Sequence, residues 1–235
     1  MSIVSMHAFY KNGEQGVDAF LSRPTATGKH PALIVLHEWW GLDSHFRDLS
    51  RKLAREGYVV LVPDLYHGQL TMDPEIAARL KTSLDLERAV QDILGGVPYL
   101  RGLPFVDGER VGIVGFCMGG GLALLAACRQ PSWKAAVIYF QSLFPDPMEL
   151  EGLSCPLLGH YGEEDDVTPL SEVEEFRATL EKGNKEHEIH LYPGAGHAFT
   201  NDMHPERYHA EATEISWTRT LEFLSKHLKN SPGKS

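Results

Sequence analysis

The segment Gly115-Phe116-Cys117-Met118-Gly119 places a thiol between two glycines, each two residues away from it. The apolar run "VGIVGF" leads into this segment, and the helix-like run "MGGGLALLAA" follows the cysteine. The spacing matches the G-x-S-x-G turn between a strand and a helix, with Cys in place of Ser as the nucleophile. The start of the helix favours a thiolate. The pattern predicts that Cys117 is a covalent nucleophile, with a buried structural cysteine as the alternative.

A neutral thiol needs a base, and His197 is the best-placed histidine because it lies in "YPGAGHAF", directly after an apolar run. In α/β-hydrolases an acid lies between the nucleophile and the histidine along the chain. The loop "HYGEEDDVTP" supplies acids in that interval. Asp165 is the preferred candidate because it lies at the turn of the loop, and Asp166 is the alternative.

Alternating strands and helices are needed to position these groups. Continuous apolar runs predict strands over 31–37, 59–66, 110–116, 134–140, 155–162 and 187–193. Helical spacing predicts helices over 45–58, about 74–101 with a break near Gly95 and Gly96, 118–130, 170–183 and about 205–228. This order predicts an α/β fold with a mostly parallel central sheet and helices on both faces. Ligands bind at the carboxyl ends of such strands, where the polar segments fall.

Composition limits the classes of function. The 235 residues have a formal charge of −10, which argues against nucleic-acid binding, and they predict one domain over 1–235. Three cysteines favour a reducing compartment, and we expect the cytoplasm, with Cys128 and Cys155 structural. Neither a secretory signal nor an apolar run of about 18 residues is seen, so no membrane association is expected. The tail "KNSPGKS" predicts a frayed end.

Nearly the whole chain resembles the dienelactone hydrolase family of the α/β-hydrolase superfamily. The resemblance is carried by "LHEWWGLDSHFRDLSRKLAREGYVVLVPDLYHG", "VGIVGFCMGG", "YGEEDD" and "GAGHAF". Its most specific feature is Glu38, followed by an aromatic residue and Gly41, together with Cys at the turn. The resemblance implies an α/β-hydrolase fold with Cys117 as nucleophile, His197 as base and Asp165 as its orienting acid.

The resemblance also makes Glu38 an extra carboxylate that contacts the resting thiol and helps to generate the thiolate. A carboxylate at the end of a buried strand is costly unless it is paired, which agrees with such a role, and a surface acid is the alternative. The amide of Met118, at the start of a helix, is expected to stabilise an oxyanion. By analogy with the loop after an early strand, the amide of Trp39 is expected to be the second donor.

The sequence departs from the family pattern at its substrate-binding arginines. The lactone hydrolases of the family place an Arg four residues after the catalytic His, where it binds the substrate carboxylate, but this chain has Asn201 there. We expect Asn201 to contact the substrate in its place. A second family Arg follows "PDLY", and Arg79 or Lys81 approximates it. The loss of this carboxylate-binding Arg weakens the case for dienelactone itself and favours neutral esters or bulkier substrates. Four aromatic residues are expected to form an apolar pocket, with core packing as the alternative: Trp39, Trp40, Phe116 and Phe199.

The segment "HEWWG" lacks the second histidine of a zinc-binding H-E-x-x-H motif, so neither a catalytic metal nor a cofactor is expected. These observations predict a metal-independent hydrolase of small esters or lactones that forms a covalent cysteine intermediate, as a monomer or homodimer. One alternative is attack by the same thiolate on activated esters such as aryl phosphotriesters. Another is a non-catalytic binding protein of this fold. A thiol redox protein is disfavoured because C-x-x-C is absent.

Overall fold

A computed structural model describes residues 1–229, so the predicted frayed end, apart from Lys229, lies outside the described residues. The strands are β1 (Ile3–Asn12), β2 (Gln15–Pro24), β3 (His30–Leu36), β4 (Val59–Pro63), β5 (Val106–Phe116), β6 (Ala136–Tyr139), β7 (Leu157–Gly162) and β8 (His187–Tyr192). The helices are α1 (Ser44–Arg55), α2 (Pro74–Ser83), α3 (Leu86–Arg101), α4 (Met118–Arg129), α5 (Pro147–Leu150), α6 (Leu170–Lys182) and α7 (Ala210–Leu224), which continues as a π-helical turn (Ser225–Lys229).

The eight strands form one sheet in the order β1-β2-β4-β3-β5-β6-β7-β8. Strand β3 pairs in parallel with both β4 and β5, and the parallel pairing continues from β5 through β6 and β7 to β8. At the other edge, β2 pairs antiparallel with both β4 and β1. Helices cover both faces, which confirms the predicted fold class. Within residues 1–229, no helix is both long and apolar enough to cross a membrane.

The central strands are apolar because both of their faces are covered. Every residue of β4, β6 and β7 is buried, as is the second half of β5. Helix α1 is amphipathic and starts at a cap, since the side chain of Asp43 accepts a hydrogen bond from the N–H of Phe46. Helix α4 is buried from its first residue to Cys128, and it packs on β5 and β6. The carboxyl end of β5 therefore holds Cys117 rigidly.

Strands β1 and β2 were not predicted. Strand β1 lies at the sheet edge with much of its length exposed, so it lacks a continuous apolar run. The sequence signal for this hairpin was the dipeptide Asn12-Gly13, followed by an alternation of residues that are buried in β2: Val17, Ala19 and Leu21. In the structure Gly13 has φ 61, as such a turn requires.

The predicted break near Gly95 and Gly96 is wrong, because α3 runs through both residues. A Cβ at Gly96 would lie 2.9 Å from Ile34 Cδ1, so this glycine lets the helix approach the sheet closely. The chain instead leaves the helical conformation between Ser83 and Leu86.

Candidate active site

The turn between β5 and α4 places Cys117 at φ 51 and ψ −115, a conformation that L-residues seldom adopt. The N–H of Cys117 donates to the carbonyl oxygen of Tyr139 at 3.0 Å, which ties the turn to the end of β6. A Cβ at Gly119 would lie 2.5 Å from the carbonyl oxygen of His37, so a side chain there would collide with the backbone after β3. The glycine spacing of the motif thus reflects close backbone packing around a strained residue.

Three side chains form a hydrogen-bonded line at this edge of the sheet. The Sγ atom of Cys117 lies 3.1 Å from His197 Nε2, and His197 Nδ1 lies 2.9 Å from Asp165 Oδ2. The backbone N–H groups of Val167 and Thr168 donate to Asp165 Oδ1 at 2.8 and 2.7 Å. The carboxylate is thus fixed, and it orients the imidazole toward the thiol. We call Cys117, His197 and Asp165 the Cys–His–Asp line.

The neighbouring acid has a different partner. Asp166 is exposed and pairs with Arg207, with Oδ1 and Nη1 3.0 Å apart. Of the two candidates in this loop, Asp165 is therefore the one that contacts His197.

Burial alone would lower the pKa of His197. The hydrogen bonds and negative charges of Asp165 and Cys117 outweigh that effect and raise this pKa to about 10. The line therefore places a protonated imidazole in hydrogen-bond contact with the Cys117 sulfur.

Glu38 is buried just after β3, and among the described residues its carboxyl makes no hydrogen bond to the Cys117 thiol. Its Oε2 accepts a hydrogen bond from Asn201 Nδ2 at 2.8 Å, and its Oε1 has no partner among the described residues. Burial raises the pKa of this carboxyl above its ordinary value. Asn201 is fully buried, and its Oδ1 accepts from the N–H of Met203 at 3.0 Å. Asn201 thus positions Glu38, and as a buried residue it is not placed to bind substrate as the sequence predicted.

A cavity of about 490 Å³ lies beside Cys117: the next residue, Met118, and the nearby Ser142 line it, whereas Cys117 itself is not one of its lining residues. Both residues expected to supply oxyanion donors, Trp39 and Met118, line this cavity. As the first residue of α4, Met118 has an N–H without an intrahelical acceptor. The remaining wall is mostly apolar: Ala78, Lys81, Thr82, Leu84, Leu86, Leu122, Ser142 and Leu143.

Lys81, not Arg79, faces the cavity. Lys81 Nζ donates to Ser142 Oγ at 3.1 Å, and Ser142 Oγ lies 3.9 Å from Cys117 Sγ. Arg79 is exposed and is absent from the cavity wall, because α2 turns it away. Sequence reasoning missed Ser142, and the available signal was a polar residue just beyond the buried strand β6.

The other aromatic residues expected around the substrate pack elsewhere. Phe116 stacks on Tyr139 with 4.5 Å between ring centroids, and Phe199 is fully buried. Trp40 is buried and stacks on His204 at 4.7 Å. These three rings are absent from the wall of the cavity beside Cys117. Phe116 instead borders a separate cavity of about 750 Å³ between α1 and α7.

The fold and the Cys–His–Asp line define an α/β-hydrolase. The model of the dienelactone hydrolase family matches residues 17–228, and the chain belongs to this family, as the sequence predicted. A protein named carboxymethylenebutenolidase from Escherichia coli strain K12 is 36% identical over 225 residues, which cover 89% of this chain and 82% of the relative.

Two solved structures show the same fold. A dienelactone hydrolase from Klebsiella pneumoniae superposes with a TM-score of 0.89 at 30% identity, covering 96% of this chain and 100% of the other. A dienelactone hydrolase-like promiscuous phosphotriesterase from metagenomic libraries gives a TM-score of 0.89 at 21% identity, covering 97% and 99% of the two chains.

Proposed function

We propose that this protein hydrolyses carboxylic esters or lactones through a thioester on Cys117. The observation that carries the proposal is the contact of 3.1 Å between Cys117 Sγ and His197 Nε2, with Asp165 fixed behind the histidine. The family model supports it, as does the relative named carboxymethylenebutenolidase.

In the first half-reaction, the Cys117 thiolate attacks the carbonyl carbon and forms a C–S bond, while the C=O electron pair moves onto oxygen. The N–H groups of Met118 and Trp39 hold this oxyanion. The tetrahedral intermediate then expels the alkoxide, which takes the Nε2 proton of His197. The products of this half-reaction are an alcohol and a thioester.

In the second half-reaction, neutral His197 takes a proton from water as that water attacks the thioester carbon. The new intermediate breaks its C–S bond, so the acid leaves and the thiolate returns beside the imidazolium. Asp165 keeps Nδ1 as the donor nitrogen throughout, so that Nε2 alone exchanges the proton.

The cavity beside Cys117 indicates the class of substrate. Its wall is mostly apolar, and Lys81 is its only cationic lining residue among the described residues. Asn201 is uncharged, and its Nδ2 already donates to Glu38. Small esters or lactones with an apolar acyl or aryl group fit such a wall.

The wider setting of the activity stays a prediction. Cys117, Cys128 and Cys155 are all free thiols, which suits a reducing compartment such as the cytoplasm. We keep the interpretation of residues 1–235 as one domain, and of the protein as a monomer or homodimer.

The proposal is tested by burst kinetics with 4-nitrophenyl acetate, together with intact mass and peptide mapping. The wild type should release a burst of nitrophenol and carry an acetyl group on Cys117. Cys117→Ala and His197→Ala should lose the burst, whereas Cys128→Ala should keep it, because burial raises the pKa of the Cys128 thiol to about 12. Equal rates in all four proteins with no adduct would refute the proposal. An adduct formed only with an aryl phosphotriester would favour the alternative electrophile.

A further inference from the structure

Ser142 is joined to Cys117 through both its backbone and its side chain. Its N–H donates to the carbonyl oxygen of Cys117 at 3.3 Å, and its Oγ lies 3.9 Å from the Cys117 Sγ. The residue follows β6, whose last residue, Tyr139, accepts the N–H of Cys117. Ser142 is therefore tied to the turn that carries the thiol through its backbone as well as its side chain.

The contact with Lys81 decides which way the Ser142 hydroxyl points. An ammonium group only donates hydrogen bonds, so Ser142 Oγ accepts from Lys81 Nζ at 3.1 Å. The hydroxyl hydrogen is thus free for a different acceptor. As a thiol, Cys117 Sγ donates toward Ser142 Oγ at 3.9 Å, and once the thiol has lost its proton the direction reverses and the hydroxyl hydrogen can point at Sγ. The positive charge on Lys81 also polarises this hydroxyl and makes it a better donor.

We propose that Ser142, oriented by Lys81, donates a second hydrogen bond to the Cys117 thiolate, alongside the one from His197 Nε2. The inference rests on the proposed function, in which the thiolate is the nucleophile. The distance of 3.9 Å is long for a finished hydrogen bond, and such bonds tighten when substrate binds. Ser142 and Lys81 are positioning residues in this scheme, and Lys81 acts through Ser142.

Substrate strengthens this arrangement. Lys81 and Ser142 both line the cavity beside Cys117, and an apolar acyl group there displaces water from around the two side chains. Charge interactions grow stronger when water is excluded. The second donor therefore stabilises the thiolate most when substrate is in place.

The test is the rate at which iodoacetamide alkylates Cys117 at pH 7, followed by intact mass. Ser142→Ala and Lys81→Met should each slow alkylation by about 3- to 10-fold, the range expected for one hydrogen bond. The double variant should be no slower than Ser142→Ala alone, because Lys81 acts through the hydroxyl. Lys81→Arg should recover most of the rate. Lys182→Met, an exposed lysine in the last turn of α6, is the matched control.

Rescue by a conservative variant separates this role from a structural one. Ser142→Thr, which keeps the hydroxyl, should retain most of the wild-type alkylation rate, whereas a distorted turn would slow Ser142→Ala and Ser142→Thr alike. Additive losses in the double variant, or unchanged rates in the single variants, would overturn the inference. Alkylation needs no ester, so a wild type that reacts as described but hydrolyses no ester would refute only the proposed function.

Discussion

Replacing Glu38 by Gln tests whether the buried carboxyl is uncharged in the folded protein. Glu38 is 1% exposed, accepts one hydrogen bond from Asn201 and has no partner for Oε1 among the described residues. A glutamine side chain has the same shape, can accept the same hydrogen bond, and places an N–H₂ group where an acid would carry its proton. Glu38→Gln therefore mimics the protonated carboxyl without the possibility of ionisation.

The expected effect on stability follows from proton linkage. In the unfolded chain Glu38 loses its proton near the ordinary pKa of 4.5, whereas in the folded protein burial raises its pKa. Between these two values the folded state binds more protons. The free energy of unfolding of the wild type therefore falls as pH rises, by about 1.4 kcal/mol per pH unit from this one group. The contribution is fully present below pH 4.5 and is lost as pH rises toward the folded pKa.

The assay is urea unfolding at pH 5, 6, 7 and 8, with the difference in unfolding free energy between Glu38→Gln and wild type plotted against pH. This difference should favour the variant increasingly, with a slope of about 1.4 kcal/mol per pH unit until Glu38 ionises in the folded state. Glu172→Gln, at an exposed glutamate, controls for the loss of one surface charge. A flat line for Glu38→Gln would show that its carboxyl titrates alike in both states, and the reasoning from burial would fail.

Two further comparisons each pair a residue of the site with a control residue of the same type. Asp165→Asn should lower kcat by roughly 10³- to 10⁴-fold, because the amide no longer holds His197 in the required tautomer, whereas Asp166→Asn should change kcat less than about twofold. Steady-state ester hydrolysis measures both, and similar losses would contradict the geometry. Gly119→Ala should lower the free energy of unfolding by about 1–3 kcal/mol or more, because its Cβ would lie 2.5 Å from a backbone oxygen. Gly183→Ala, where the nearest atoms are at 3.4 Å, should stay within about 1 kcal/mol in the same urea titration.

Most of the sheet could be predicted because burial on both faces leaves a direct trace in the sequence. Strands such as β4, "VVLVP", are continuous apolar runs, and they alternate with helical spacing. The hairpin of β1 and β2 was missed because its exposed edge carries polar residues, and the burial of its other face appears only as a weak alternation. The break predicted at the glycines of α3 is wrong because a close helix–sheet contact and a helix break have the same local composition.

The candidate site could be predicted only where chemistry and chain order coincide. Cys117, His197 and Asp165 each follow a strand, and a known order of roles connects them. The contacts of Asn201 with Glu38 and of Lys81 with Ser142 join segments separated by 163 and 61 residues. No local pattern marks such a pair, because either side chain alone is an ordinary polar residue near a loop.

Asn201, the hydrogen-bond partner of Glu38, influences the charge next to the proposed oxyanion site. Glu38 directly precedes Trp39, whose N–H is the second oxyanion donor in the proposed mechanism, so an ionised carboxylate there would repel the developing negative charge. A cation at position 201 would favour that ionised form by pairing with it. The neutral amide of Asn201 donates a hydrogen bond to the carboxyl without adding a positive charge, and burial raises the pKa of Glu38, which favours its protonated form. An asparagine at position 201 therefore favours less negative charge on Glu38, beside the N–H of Trp39 in the proposed mechanism, than an arginine there would.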